Sequence, residues 1–243
     1  MVLIPGIQGR FEWMAPAIAE LSRRYRVLTF SLNAIDADRF FDGCVERIDR
    51  LLDDAGASSA VIAGISFGGL VALRYAATRP ARTIGLVLTS TPSPRWPLDP
   101  VSARYTQRPR LALPAFALRA VPRLAPEIAA SYPGWLGRLR FTVGHLARVL
   151  RYPMAPRKMA SWVNAWQAAD LASDCRRVLA PTLVVTGEPA LDRVVPVTST
   201  LDYLTLIPGA RHVTLERTGH LGFLTRPQAY AGVVTEFVDG AAE

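Results

Sequence analysis

The sequence predicts an α/β fold in which a mostly parallel sheet is flanked by helices on both faces. Three observations carry that expectation. Short apolar runs of strand type alternate with stretches whose apolar residues recur every three or four positions. The alternation breaks once, over residues 92–178, and then resumes. Before the break, the apolar run at 60–65 leads through Gly64-Ile65-Ser66-Phe67-Gly68-Gly69 into an Ala/Leu-rich helical pattern.

Residues 1–4 form the first predicted strand, and Pro5-Gly6-Ile7-Gln8-Gly9 a glycine loop. Over 11–24, Phe11, Met14, Ile18 and Leu21 fall on one helical face. Residues 25–30 read as a strand and 33–37 as a short connection. Phe41, Val45, Ile48, Leu51 and Leu52 predict an amphipathic helix over 39–54, with Gly56 as its stop. The strand at 60–65, the serine turn and a helix to residue 77 come next. Arg79-Pro80 ends that helix, and 84–88 is another strand.

Between 92 and 178 prolines gather with Trp96, Trp135, Trp162 and Trp166, and no strand pattern occurs. Short helices broken at Pro109, Pro114, Pro122, Pro126, Pro133 and Pro153 are expected, and the stretch is too apolar for a disordered linker. The rhythm resumes with a strand at 181–187, a short helix over 197–206, a strand at 211–215 and an amphipathic helix over 227–238. The expected organisation is a core built from 1–91 and 179–243, with 92–178 inserted as a helical lid.

Composition narrows the function. A chain of 243 residues, half of them hydrophobic, can bury one sizeable core. Apolar runs stay below the roughly 18 residues that a membrane-spanning helix needs. The start, Met1-Val2-Leu3-Ile4-Pro5, lacks the basic leader and long apolar core of a signal peptide, so a cytoplasmic location is expected. Cys44 and Cys175 stand far apart without metal-ligand spacing and are expected to be buried free thiols. The net charge of +8 is almost wholly arginine, Lys158 being the only lysine. Those arginines are scattered and no nucleic-acid motif accompanies them, so a small-molecule partner is expected rather than a nucleic acid.

The chemistry starts at Ser66. A serine on a sharp strand-to-helix turn presents its oxygen to a base and a substrate. Such a nucleophile needs a base, and the base an orienting acid. Of the three histidines, His145 lies in the 92–178 stretch and His212 inside a predicted strand. His220 sits just past that strand in Thr218-Gly219-His220-Leu221-Gly222. Asp192 follows the strand at 181–187, and Glu188, directly after Gly187, is an alternative acid. Loops beyond the C-terminal ends of parallel strands converge on one edge, where Ser66, Asp192 and His220 are expected to meet.

These blocks resemble the α/β-hydrolase superfamily over nearly the whole chain outside 92–178, and most closely its lid-bearing esterase, C–C hydrolase and haloperoxidase-like branch. Leu3-Ile4-Pro5-Gly6 is similar to its oxyanion loop and Gly64 to Gly69 to its nucleophile elbow. Asp192 with Val195-Pro196 matches its acid block, and Gly219-His220 its base block. The resemblance implies Ser66 as nucleophile, His220 as base and Asp192 as orienting acid, with no metal or organic cofactor. It further implies backbone oxyanion donors at Phe67 and at Ile7, with Gln8 the alternative to Ile7.

The chain departs from the family in three places. Pro5-Gly6 stands where His-Gly is usual. Asp192 lies five residues after Gly187 rather than three. The family's first two strands have no counterpart, so either the start is truncated or 25–30 becomes an edge strand, with homodimerisation through it an option.

The leading expectation is a serine hydrolase that cleaves a small or medium ester, or a related carbonyl substrate, through an acyl-enzyme. A C–C bond hydrolase, or a hydrolase for an anionic substrate held by Arg95, Arg104, Arg108 or Arg110, is the second reading. A ligand-binding protein of the same fold with little catalysis is the third.

Overall fold

The computed structural model describes residues 1–36, 38–97, 106–107 and 109–240; side chains at 109–119 lie outside that description. Its centre is a five-stranded parallel sheet: β1 (Val2–Ile4), β2 (Ala60–Ile65), β3 (Thr83–Thr89), β4 (Thr182–Thr186) and β5 (Arg211–Thr214), neighbours in that order. The register pairs Leu3 with Ala63, Ile62 with Leu86, Val87 with Leu183 and Val184 with His212.

Residues 25–30 do not form the expected strand. A single parallel bridge joins Leu28 to Val2, with Leu3 N–H donating to Leu28 O and Leu28 N–H to Met1 O, both at 2.9 Å. The ladder goes no further because Leu3 O accepts from the Thr29 hydroxyl at 2.7 Å rather than from a main-chain N–H.

Both faces of the sheet are covered, and the period-2 alternation of the strands divides the core accordingly. On one face Val2, Ile4, Ile62, Leu86, Leu88 and Val184 pack with α2 (Phe40–Asp54) and α3 (Phe67–Thr78). On the other, Leu3, Val61, Ala63, Ile65, Val87, Leu183 and Val185 pack with the α1 (Ala15–Leu21) side and the C-terminal helix (Pro227–Gly240). The helix expected over 11–24 is shorter, a 3-10 turn at Phe11–Met14 running into α1. The segment 197–206 holds two short helices, Val197–Leu201 and Tyr203–Leu206.

Between β3 and β4 the described residues are helical: α4 (Pro109–Ser131), α5 (Trp135–Arg151), α6 (Pro156–Ala168) and the short α7 (Leu171–Cys175). Pro133 and Pro153 fall between helices and Pro109 starts one, as expected. Pro114, Pro122 and Pro126 break nothing, and α4 runs through all three. Each proline removes one N–H from the ladder while its neighbours remain, and Pro122 faces solvent, where its unpaired carbonyl partner is cheaply hydrated. Hydrogen bonds from Arg10 Nε to Pro153 O and from Trp13 Nε1 to Tyr152 O, each 3.0 Å, tie the α5–α6 connection to the loop after β1.

Cys44 and Cys175 are free and buried. No described helix is long and apolar enough to cross a membrane.

Candidate active site

Ser66 occupies the turn between β2 and α3 with φ 52° and ψ −123°, a backbone conformation that non-glycine residues rarely adopt. Ser66 N–H donates to Thr89 O at 2.7 Å, which fixes the strained residue to the neighbouring strand. The glycines around it answer to space rather than to φ. A Cβ at Gly64 would lie 2.3 Å from Gly68 O, and one at Gly68 would lie 2.5 Å from both Ile4 O and Pro5 O. Only a backbone without side chains lets β1, β2 and α3 approach this closely.

Among the described residues two further non-glycine residues have positive φ, Ser90 at 44° and Arg217 at 59°. Both lie just beyond strands, after β3 and β5. The described backbone strain therefore gathers on the edge where the strand C-termini end.

The loop after β1 lies against the elbow. A Cβ at Gly6 would be 3.6 Å from Ser66 Cβ and 3.0 Å from Gln8 Oε1, so the Gln8 side chain folds back over Gly6. Phe67, as the first residue of α3, has no intrahelical carbonyl for its N–H. The Phe67 ring is buried in an aromatic group, tilted against Phe40 at 5.8 Å and edge-on to Trp166 at 6.3 Å.

Asp192 and His220 are brought together directly: His220 Nδ1 and Asp192 Oδ2 are 3.2 Å apart, and both residues are buried. The other Asp192 oxygen accepts from Val194 N–H and Val195 N–H, each at 3.0 Å, so the carboxylate is fixed before it meets the ring. For His220, burial disfavours the charged ring. The charge and hydrogen bond of Asp192, with the charge of Glu127, outweigh burial and hold the imidazole above its usual range. For Asp192, burial opposes ionisation, but the His220 charge and the hydrogen bonds to its oxygens keep the carboxyl below the usual range. Among the described residues no hydrogen bond links the Ser66 hydroxyl to the His220 ring.

The other candidates are placed elsewhere. Glu188 does not reach the ring; its Oε1 accepts from Arg217 N–H at 2.6 Å and its N–H donates to Thr218 O at 2.8 Å, so it shapes the loop that carries His220. His212 Nε2 pairs with Thr186 Oγ1 at 2.8 Å, a link between β5 and β4. His145 stacks on Phe141 at 5.9 Å and meets Trp13 edge-on at 5.6 Å. Arg95 lies near enough to Cys175 to act on its thiol electrostatically. Arg104, Arg108 and the Arg110 side chain lie outside the described residues.

One residue at the site carries no motif. Glu127, on α4, is fully buried, and both its oxygens accept from Leu221 N–H, at 2.8 and 2.9 Å. A lone glutamate between prolines in a helical pattern gives no sequence signal of such a contact.

The chain belongs to the alpha/beta hydrolase family, whose model matches residues 1–233. Among curated proteins it is similar to the "Putative carbamate hydrolase RutD" of Pseudomonas savastanoi pv. phaseolicola, 26% identical over 253 residues, covering 98% of this chain and 93% of that one. It is also similar to 3-oxoadipate enol-lactonase 1 of Acinetobacter baylyi, 23% identical over 234 residues, covering 92% and 82%. Among solved structures, the enol-lactonase from Burkholderia xenovorans LB400 superposes with a TM-score of 0.79 at 22% identity, covering 98% of this chain and 90% of that chain. Membership in this family supports hydrolase activity.

Proposed function

We propose that this hydrolase cleaves a small or medium ester, lactone or related carbonyl substrate through an acyl-enzyme. The observation that carries the reading is the buried His220–Asp192 pair at 3.2 Å, set on the same sheet edge as the strained Ser66.

In this reading Ser66 Oγ attacks the carbonyl carbon as His220 Nε2 takes its proton. Asp192 holds Nδ1 protonated and stabilises the imidazolium that forms. The negative charge on the carbonyl oxygen is met by the Phe67 N–H and by a backbone N–H of the 5–9 loop, with Ile7 the first candidate and Gln8 the second. A donor of this kind contributes about 3 kcal/mol of transition-state stabilisation. The imidazolium then protonates the leaving group. Water, deprotonated by His220, releases the acyl group and restores Ser66.

Residues 92–178 serve as the lid in this proposal. Supporting it, α6 lays Trp162 against Phe40 at 5.4 Å and over Gly9, while α4 reaches the His220 loop. The named activities of the relatives, on a carbamate and an enol-lactone, support a carbonyl substrate with a heteroatom leaving group.

A fluorophosphonate probe, with the labelled peptide mapped by mass spectrometry, tests the nucleophile. Labelling is expected at Ser66 and lost in Ser66→Ala, together with turnover of p-nitrophenyl esters. Labelling at another residue, or full turnover in Ser66→Ala or His220→Ala, overturns the assignment.

A further inference from the structure

The sheet edge holds a second buried carboxylate, besides Asp192, that the Ser66, Asp192 and His220 chemistry does not use. Glu127 is 0% exposed, although it sits on a helix of the segment between β3 and β4 rather than on the sheet. A carboxylate removed from water this completely costs several kcal/mol unless it is partnered. Its partners are on the loop that carries the base. Both oxygens accept from Leu221 N–H, the residue next to His220, and Gly219 N–H, on its other side, also stabilises the carboxylate.

The contact is part of a wider clasp at the C-terminal end of α4. Arg217 Nε and Nη2 donate to Ala130 O at 3.1 and 3.0 Å, and Ser131 Oγ donates to Arg217 O at 2.8 Å. Residues 217–221 are thus held from above by α4, just as Gly187 and Asp192 hold them from below.

We propose that Glu127 is a positioning residue for the base: its carboxylate fixes the His220 loop through the Leu221 N–H and sets a second negative charge beside the imidazole. The inference rests on the reading of His220 as the base. Asp192 orients one ring nitrogen, and the bonds of Arg217 and Thr218 hold the loop ahead of the ring; Glu127 adds an anchor on the residue directly after it. Glu127 grips that backbone, and it does so only while α4 is docked, so the base is complete only when the segment covers the site.

Among the described residues, the ionisable groups acting on Glu127 are His220 and Asp192. The next charged neighbours are Arg217, through Ala130 O; Glu188, through Arg217 N–H; and Arg138 on α5, whose Nη2 donates to Ala129 O at 3.4 Å. Burial pushes the Glu127 carboxyl up, while the Leu221 and Gly219 N–H groups and the His220 charge pull the other way and the Asp192 charge opposes them. In the reverse direction, Glu127 raises the His220 titration.

The test is an NMR titration of the three histidine rings in the wild-type chain, Glu127→Gln and Glu127→Ala, alongside p-nitrophenyl acetate kinetics. Glu127→Gln keeps an acceptor for Leu221 N–H but no charge, so the His220 midpoint is expected to move to lower pH while His145 and His212 stay put. Glu127→Ala loses the acceptor as well. Its kcat is expected to fall roughly 10- to 100-fold, as a misplaced catalytic group does, with KM little changed and Glu127→Gln nearer to wild type.

An unchanged His220 midpoint in Glu127→Gln overturns the proposal, and so does a wild-type kcat in folded Glu127→Ala. Should Glu127→Ala fail to fold, the Glu127→Gln titration decides alone. A wild-type chain with no esterase turnover counts against the proposed hydrolysis, and the titration still decides the role of Glu127.

Discussion

Gly219 and Leu191 touch so closely that a Cβ on Gly219 would lie 2.4 Å from the Leu191 carbonyl oxygen and 2.9 Å from the Asp192 N–H nitrogen. The loop that carries His220 and the loop that carries Asp192 are therefore in backbone contact immediately beside the two side chains that pair. Gly187 repeats the device from the other loop, since a Cβ there would meet Gly219 O at 2.5 Å. Gly219→Ala is expected to push the loops apart and lengthen the 3.2 Å Asp192–His220 contact. Overpacking of this kind costs about 1–3 kcal/mol of stability, and a misplaced base about 100-fold in kcat. Urea unfolding and ester kinetics on the same variant check both; unchanged kcat would show that the contact does not position the ring.

The pH dependence follows from the same pair. As the proposed base, His220 must be neutral to take a proton, and its imidazole is held above the 6.5 of an isolated ring, because Asp192 and Glu127 outweigh burial. The acidic limb of kcat/KM is therefore expected above pH 6.5, with activity rising as pH rises through it. Asp192→Asn removes the larger of the two charge effects, so the limb should move to lower pH while kcat falls by about 10⁴-fold, because the ring loses its tautomer and orientation. For stability the signs differ. The raised His220 value contributes stability that is present below 6.5 and lost as pH rises through the folded value. The lowered Asp192 value contributes stability that is present above 3.8 and lost as pH falls through its folded value. Thermal melts across pH on the wild type and Asp192→Asn check these directions.

At the nucleophile turn, the space for Gly69 is set by one side chain. A Cβ there would fall 1.9 Å from Thr91 Oγ1 and 2.5 Å from Thr91 Cγ2, and Thr91 is fully buried. Gly69→Ala is expected to destabilise by about 1–3 kcal/mol. Thr91→Gly in the same chain removes the obstacle and should return part of that loss, giving a coupling of roughly 0.5–3 kcal/mol in a double-mutant cycle. Additive effects would locate the strain elsewhere in the turn.

Much of the fold was legible because its signals are local. Strands buried on both faces read as continuous apolar runs, as in residues 60–65, and period-3.6 patterns marked α2 and the C-terminal helix. The motif at Ser66 and the positions of Asp192 and His220 after their strands were local signals too. What failed was tertiary. The apolar run at 25–30 looked like a strand, but the Thr29 hydroxyl takes the Leu3 carbonyl that the next ladder bond would need, so one bridge forms. Three prolines predicted breaks that α4 does not show, since each removes one N–H and leaves the rest of the ladder in place. Glu127 was invisible because its meaning lies in a contact 94 residues away in the chain, with Leu221. Glu188 looked eligible as the acid by spacing alone, and only its bond to Arg217 N–H places it in the loop rather than at the ring.

Trp162 gives the last prediction, because it joins α6 to the loop at 5–9, where Pro5-Gly6 departs from the family's usual residues. Its side chain is fully buried, stacks on Phe40 at 5.4 Å, and occupies the space above Gly9, whose φ of 71° and hypothetical Cβ 2.6 Å from Trp162 Cη2 leave room for nothing larger than glycine. Trp162→Ala removes both the stack and the roof over that loop. A buried Trp truncated to Ala costs about 3–5 kcal/mol, and the loss should fall first on the docking of α6. Limited proteolysis is therefore expected to cut between residues 131 and 170 faster in Trp162→Ala than in the wild type, before global unfolding by circular dichroism. If loop 5–9 carries an oxyanion donor, kcat should fall more than KM rises, because a donor that meets the developing charge acts mainly on the transition state. Trp162→Phe keeps the stack on Phe40 and should lie between the two. A Trp162→Ala chain with normal kcat and raised KM would instead assign Trp162 to substrate binding alone.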